Sequence, residues 1–451
     1  MGKLKPTQLL LFSFATIILL GTALLKLPYA AAGNPLSFIE ALFSATSATC
    51  VTGLTVIDIS AKLTLFGQIV IMSLIQIGGL GIMTFSTFFI FLISKRFSIR
   101  DRELLQQTLS QQPVKDLASL LKSVFGVTIV IESVGVLFYF LRFSKDFPGG
   151  KALYFSVFHS ISAFCNAGFS LFPDSFVRYQ GDFIINFTTI ILILLGGVGF
   201  IVLFDLYKKL RTKRTMARSQ FSFHTRVVLH TSFWLVIAGA VLFFVFDFFN
   251  RLQLLPWSSR ILTALFQSVT SRTAGFNTVD IGAVSNSSLF LISMLMLIGA
   301  SPASCGGGMK TTSFAVLTAM VAARFRNRED VHLFHRRIDQ DVISKAVSIG
   351  AFSFIIIAMF TLILLFTEVG GLSHLQTKGS FLEILFEVVS AFGTVGLSTG
   401  ITADFSNTGR ILLVLLMYIG RLGPITLAMA ITGERGTKLP YRYAKENLMV
   451  G

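Results

Sequence analysis

The sequence predicts an all-α polytopic membrane protein. It predicts eight membrane-spanning helices and four half-length re-entrant helices, set as four membrane–pore–membrane repeats about a pseudo-fourfold axis. Three observations lead there. Of 451 residues, 53% are hydrophobic and only 13% charged, where a soluble chain carries about 25% charged residues. Several runs of twenty or more residues are nearly uncharged, long enough to cross a bilayer as helices. One glycine-centred spelling occurs four times, at Gly53, Gly168, Gly275 and Gly396.

The long apolar runs fall in pairs: 8–27 and 64–93, 119–141 and 183–205, 227–248 and 289–322, 343–367 and 409–432. The first follows Lys3 and Lys5 and precedes Tyr29-Ala30-Ala31-Ala32, which resembles a signal peptide with a small-residue cleavage site. Its apolar run is too long for that, so it reads as the first membrane helix. Between the members of each pair lies a segment of about 10–14 apolar residues, too short to span and suited to a re-entrant helix. Each such segment ends at one of the four glycines. From 53 to 168, 168 to 275 and 275 to 396 the steps are 115, 107 and 121 residues.

The flanks repeat as well. Phe43, Phe158, Leu265 and Phe386 stand ten residues before the glycines. Leu54, Phe169, Phe276 and Leu397 follow them, and Thr55, Ser170, Asn277 and Ser398 come next. The repeats are therefore 1–115, 116–220, 221–338 and 339–433, with a tail at 434–451.

The net charge is +16. The basic residues gather in the breaks near 95–122, 208–226, 324–345 and 435–445, as the positive-inside rule requires of a polytopic protein. They lack the interleaved aromatics of a nucleic-acid module. Eight spans with these breaks inside put both termini in the cytoplasm of a cell-membrane protein. Cys50, Cys165 and Cys305 form no CxxC pair, and the six histidines never stand at ligand spacing. With no convergence of intramembrane His, Asp or Glu, nothing points to an enzyme or to an organic cofactor.

Non-helical backbone at membrane depth survives only where it lines a water-filled cavity or is buried in protein. Four re-entrant hairpins about one axis would make a pore. A potassium filter replaces the hydration shell of the ion with backbone carbonyls, and glycine reaches the positive φ this needs without a Cβ penalty. The candidate filter is Val51-Thr52-Gly53-Leu54, Asn166-Ala167-Gly168-Phe169, Thr273-Ala274-Gly275-Phe276 and Thr394-Val395-Gly396-Leu397. The last, continued by Ser398, resembles the TVGYG loop of potassium channels. The half-helices would aim the negative ends of their dipoles at the ion path, favouring a cation. Potassium is the expected ion; a sodium-preferring uniporter is the alternative. Gly78, Gly196, Gly299 and Gly420 recur 24 to 28 residues after the filter glycines. They serve helix packing or relieve crowding near the axis.

Three features break the fourfold pattern. The run from Leu289 to Val321 is interrupted by Pro302 and by Gly306-Gly307-Gly308, which break helices. Residues from about 299 to 312, with Lys310 among them, would unwind below the filter as a gate or as a passive kink. Gly308-Met309-Lys310-Thr311 lacks the glycine before lysine and the preceding strand of a phosphate loop. Arg421 lies inside the last run, where Gly79 and Gly197 stand in the first two units. An intramembrane charge is costly, so Arg421 is expected to act in a gate or to sit in a buried ion pair, with Glu132 a possible partner for it or for Lys310. Arg272, three before Gly275, would brace the filter loop or snorkel outward.

The stretches SRTAGFNTV, CGGGMKTTSF and YIGRLGP resemble, most specifically, the Trk/Ktr/HKT superfamily of potassium transporters. Along its whole length the chain resembles the bacterial KtrB type. The resemblance implies a homodimer in the lipid bilayer and a cytoplasmic nucleotide-binding ring of the RCK kind (KtrA-like) as partner. It also implies a gating role for the 299–312 loop and for Arg421, and sodium-stimulated potassium uptake. Glycine at all four filter positions goes with potassium, since plant members that prefer sodium carry serine at the first.

Overall fold

The computed structural model describes residues 6–81, 117–211 and 221–423. Within them the chain is almost wholly helical. The first unit holds α1 (Pro6–Leu25), α2 (Phe38–Thr49) and α3 (Leu65–Leu80). The second holds α4 (Leu117–Phe143), α5 (Gly149–Phe164), α6 (Phe183–Gly197) and α7 (Phe200–Arg211). The third holds α8 (Phe223–Asp247), α9 (Trp257–Thr270), α10 (Asn286–Leu297) and α11 (Thr311–Phe325). The fourth holds α12 (Gln340–Val369), α13 (Ser380–Gly393) and α14 (Asn407–Leu422). A two-residue hairpin, His332–Leu333 against Arg336–Arg337, links the third unit to the fourth.

Local chemistry sets the helix starts. Ser37 and Glu40 form a reciprocal capping box on α2. Thr64, Asp182, Ser222, Ser285 and Ser406 each accept from a first-turn N–H of α3, α6, α8, α10 and α14. Such caps satisfy the orphan donors of a helix terminus. Pro148 and Pro256 precede α5 and α9.

The first helix of every unit is unbroken. Gln8–Leu25, Val124–Phe143, Phe223–Asp247 and Gln340–Val369 are long and apolar enough to cross a membrane, with only 22–33% of each window buried. Their outer faces carry exposed Phe233, Val245, Phe354, Leu362 and Phe366. In water such faces would aggregate; in lipid they are solvated.

The second helices differ from expectation. Among the described residues four helices qualify as spans, or five if one bent pair counts as one. That pair is α6 and α7, expected as a single straight run over 183–205, and it bends by 101°. The third unit breaks where proline and glycine predict. In the first and fourth units, α3 and α14 end at Gly81 and Gly423, both with φ +83°. The continuations expected at 82–93 and 424–432 lie outside the described residues. So do most of the basic break at 95–122, residues 212–220 of that at 208–226, all of 435–445, and the tail at 434–451.

The units close a ring. Each second helix packs on the half-helix of the next unit: α3 on α5, α6 on α9, α10 on α13, and α14 back on α2. The Tyr418 hydroxyl donates to the Leu11 carbonyl at 2.6 Å, tying α14 to α1.

Candidate functional site

The four glycines meet at the centre of this ring. Each has a positive φ: +96° at Gly53, +69° at Gly168, +78° at Gly275 and +91° at Gly396. A Cβ on Gly53 would fall under 3.0 Å from the Ala167 carbonyl oxygen, and one on Gly168 equally near that of Ala274. One on Gly275 would meet Val395, and one on Gly396 would meet Thr52, which returns to the first unit. No side chain fits at any of the four.

The loops share one backbone path. Two residues before each glycine, Val51, Asn166, Thr273 and Thr394 also have positive φ, between 49° and 69°. The residue between has negative φ. This alternation turns successive carbonyls toward one side instead of alternating them as in a strand. The loop residues from Val51 to Gly53 and their counterparts are buried, except that Gly168 and Gly396 are partly exposed. Leu54, Phe169, Phe276 and Leu397 are buried outside the ring.

Hydroxyls that sequence reasoning passed over strap the loops to their half-helices. Ser47 and Ser390 accept from the N–H of Gly53 and Gly396 at 3.0 and 3.1 Å. Ser162 and Thr270 donate to the carbonyls of Phe169 and Phe276 at 2.8 and 2.6 Å. A hydroxyl stands six before three of the glycines and five before Gly275. In the third unit the stretch from hydroxyl to glycine is therefore one residue shorter. The phenylalanine matching the fully buried Phe43, Phe158 and Phe386 is Phe266, also fully buried, and not the half-buried Leu265.

The glycines in the second helices supply close approach. A Cβ on Gly78, Gly196 or Gly420 would run into the carbonyl oxygen of Thr49, Phe164 or Phe392, at the end of that unit's own half-helix. Gly299 instead faces the Gly307 carbonyl.

Beneath the ring lies the unwound segment Ile298–Lys310. Its ends pair as Ile298 with Met309, parallel. The Gly307 N–H donates to Thr394 Oγ1 at 3.0 Å, and a Cβ on Gly306 would strike Thr273 Oγ1. The loop thus touches the base of the third and fourth glycine loops. It also explains the bend in the second unit. The carbonyls of Gly196 and Gly197, freed where α6 stops, accept from Cys305 and Ser301 at 3.2 and 3.0 Å. The Phe200 N–H donates to Ala303 at 2.9 Å. Gly199, φ +93°, leaves room for the Pro302 carbonyl.

Arg421 spans this layer. Its guanidinium donates to the carbonyls of Cys305 in the loop and Gly78 in α3. No carboxylate among the described residues pairs with it, so the ion pair offered with Glu132 does not form. Lys310 Nζ turns back onto the Gly306 carbonyl at 2.7 Å. Glu132 pairs with neither cation; it accepts from Gln76 Nε2 at 3.1 and 3.3 Å. Arg272 is 7% exposed and does not snorkel. It donates to Ser232 Oγ and to the Ser232 carbonyl of α8 at 3.2 and 3.4 Å.

Above the ring opens a cavity of about 650 Å³. The four glycines form its floor, and Asp58, Asp174, Asp280, Ser398 and Thr402 are among its walls.

Residues 9–436 match the TrkH family model, described as a cation transport protein. The chain is 37% identical to Ktr system potassium uptake protein B of Bacillus subtilis, covering 97% of this chain and 96% of that protein. It is 34% identical to the potassium/sodium uptake protein NtpJ of Enterococcus hirae, covering 100% and 98%. Among solved structures it is similar to the potassium transporter TrkH of Vibrio parahaemolyticus. That match has TM-score 0.70 at 20% identity, over 93% of this chain and 84% of that one.

Proposed function

The chain belongs to the TrkH family of cation transport proteins, and from that premise we propose that it takes up potassium across the cell membrane. The ion path is the ring of four loops, Val51–Leu54, Asn166–Phe169, Thr273–Phe276 and Thr394–Leu397, whose backbone carbonyls take the place of water around the ion. One observation carries this reading: four positive-φ glycines, each lacking room for a Cβ against the next unit's carbonyl, close a circle. Four half-helix C-termini add partial negative charge at its base.

The segment 299–312 and Arg421 form the gate. Gly306, Gly307 and Gly308 let the loop lie close under the filter. Arg421 and Lys310 put two cations there, held by carbonyls alone, which oppose a passing cation until the loop moves. Arg272 supports the third filter loop from behind. We extend the reading to a homodimer with cytoplasmic termini and to control by a separate cytoplasmic nucleotide-binding ring, on the resemblance and on the "Ktr system" name of a relative.

A sodium-tolerant variant of this function has one observation in its favour, the potassium/sodium name of another relative. Rescue of a potassium-uptake-deficient strain tests both. Wild type is expected to restore growth at low potassium with little sodium influx. Gly53→Ser is expected to raise sodium influx relative to potassium. Failure of wild type to rescue, or equal influx of the two ions, overturns the potassium reading.

A further inference from the structure

With Phe266 aligned to Phe43, Phe158 and Phe386, the residue after each of these buried phenylalanines is polar: Ser44, His159, Gln267 and Glu387. All four side chains are buried, none more than 1% exposed. An unsatisfied polar group in such a place is costly, so its partners are informative. In three units the partners lie in the segment just beyond the glycine.

Glu387 makes the fullest set. Its carboxylate accepts from Ser398 Oγ at 2.6 Å, the Thr399 N–H at 3.0 Å, Thr399 Oγ1 at 3.4 Å and Thr402 Oγ1 at 2.7 Å. His159 donates from Nδ1 to the Phe155 carbonyl at 2.7 Å. That leaves Nε2 to accept from Ser170 Oγ at 3.1 Å and, more distantly, from the Leu171 N–H at 3.4 Å. Gln267 Nε2 donates to Thr278 Oγ1 at 3.4 Å. Ser44 Oγ has no hydrogen-bond partner among the described residues.

We propose that this repeated position is a brace that fixes the outer end of the filter strand in the second, third and fourth units, and that Glu387 is the positioning residue that dominates ion discrimination there. The brace is graded by unit: a carboxylate with four bonds, an imidazole with two, an amide with one, a hydroxyl with none. Ser398 and Thr402, which Glu387 holds, line the wall of the outer cavity. The carboxylate stands one layer behind the surface an entering ion meets. Charge-assisted bonds to such an anion are the strong ones, so the fourth strand is the stiffest at its outer end and the first the loosest.

This inference rests on the uptake reading above, and the test separates the two. The full chain is expressed in cells lacking their own potassium uptake, and the potassium KM and the potassium-to-sodium influx ratio are measured. Glu387→Gln keeps the shape but weakens the acceptor. The expected result is a potassium KM raised about tenfold, the change given by one lost charge-assisted bond, with a matching fall in the influx ratio and normal membrane yield. His159→Gln is expected to move both by a smaller factor, and Ser44→Ala to move neither. If Glu387→Gln fails to reach the membrane, Ser398→Ala combined with Thr402→Val removes the donors instead and is expected to give the same shift. Glu387→Gln, or that pair, behaving like Ser44→Ala overturns the brace while leaving the uptake reading intact. An inert wild type overturns the uptake reading.

Discussion

The glycine ring and the layer beneath it are built on opposite principles. In the ring every unit contributes the same pieces: a positive-φ residue, a positive-φ glycine two later, and a hydroxyl strap from the half-helix. In the layer beneath, among the described residues, the third unit contributes an unwound loop, the fourth Arg421, the second a bent helix, and the first the Gly78 carbonyl. An ion on the axis meets four equivalent strands, so the coordinating shell calls for symmetry. A plug has to come from one side and be held from the others, so an obstruction calls for asymmetry. If the ring is the filter and the layer beneath it the gate, as proposed, recognition and control stand at separate depths of one path.

Four tests break or sharpen this contrast. The largest effect is expected at the half-helix contacts the units share. In Gly196→Ala the new Cβ would meet the Phe164 carbonyl, which is backbone and cannot swing away. A loss of about 3 kcal/mol or more is expected, the upper range for overpacking, read as a lost folded fraction in detergent. Gly197→Ala next to it meets only the Asn166 side chain, at 3.3 Å, and should fold. Equal stability of the two would refute the close-approach role.

The next effect tests the ring. Alanine at Gly53, Gly168, Gly275 or Gly396 is expected to cut potassium uptake by a similar large factor in each case, roughly a hundredfold. Each forces an L-residue into left-handed backbone, at about 1–2 kcal/mol, and thrusts a methyl into the ring. A spread of more than about tenfold among the four would show the ring to be unequal. In the asymmetric layer the sign reverses. Arg421→Ala removes two charge-assisted bonds, of roughly 1.5–3 kcal/mol each, that hold the loop to α3 and α14. Uptake is expected to rise several-fold and to respond less to the proposed cytoplasmic partner. Unchanged regulated uptake in this variant would remove Arg421 from the gate.

Much of the fold was legible in the sequence because period and punctuation carry it. Length and hydropathy marked the four unbroken first helices. The spelling around Gly53 and its repeats marked the loops, because only glycine meets the backbone demand. Pro302 and Gly306–Gly308 marked the unwound segment. The bend between α6 and α7 was not legible. Gly196-Gly197-Val198-Gly199 reads as a packing stretch like Gly78-Gly79-Leu80-Gly81, and the loop that takes the freed carbonyls of α6 comes from a distant part of the chain. Leu265 aligns in place of Phe266 in the sequence because the one-residue shortening between hydroxyl and glycine in that unit shows only in its hydrogen bonds. Glu132 was offered to Arg421 on charge alone, while the packing gave it Gln76.

The smallest effect isolates that bend. If the loop holds α6 and α7 apart, then Gly199, with φ +93° and its face against Pro302, is part of the gate and not of the filter. Gly199→Ala brings left-handed strain of about 1–2 kcal/mol and presses on the loop. The expected outcome is a change of a few fold in regulated uptake, with the potassium-to-sodium influx ratio unchanged. The decisive comparison pairs this variant with a shortened loop lacking Gly306–Gly308. Contacting elements couple, whereas independent ones add. The effect of Gly199→Ala should shrink toward nothing once the loop is shortened, because the group it strikes has withdrawn. Full additivity of the two changes would mean that the bend stands without the loop, and the second unit would then return to the symmetric part of the molecule.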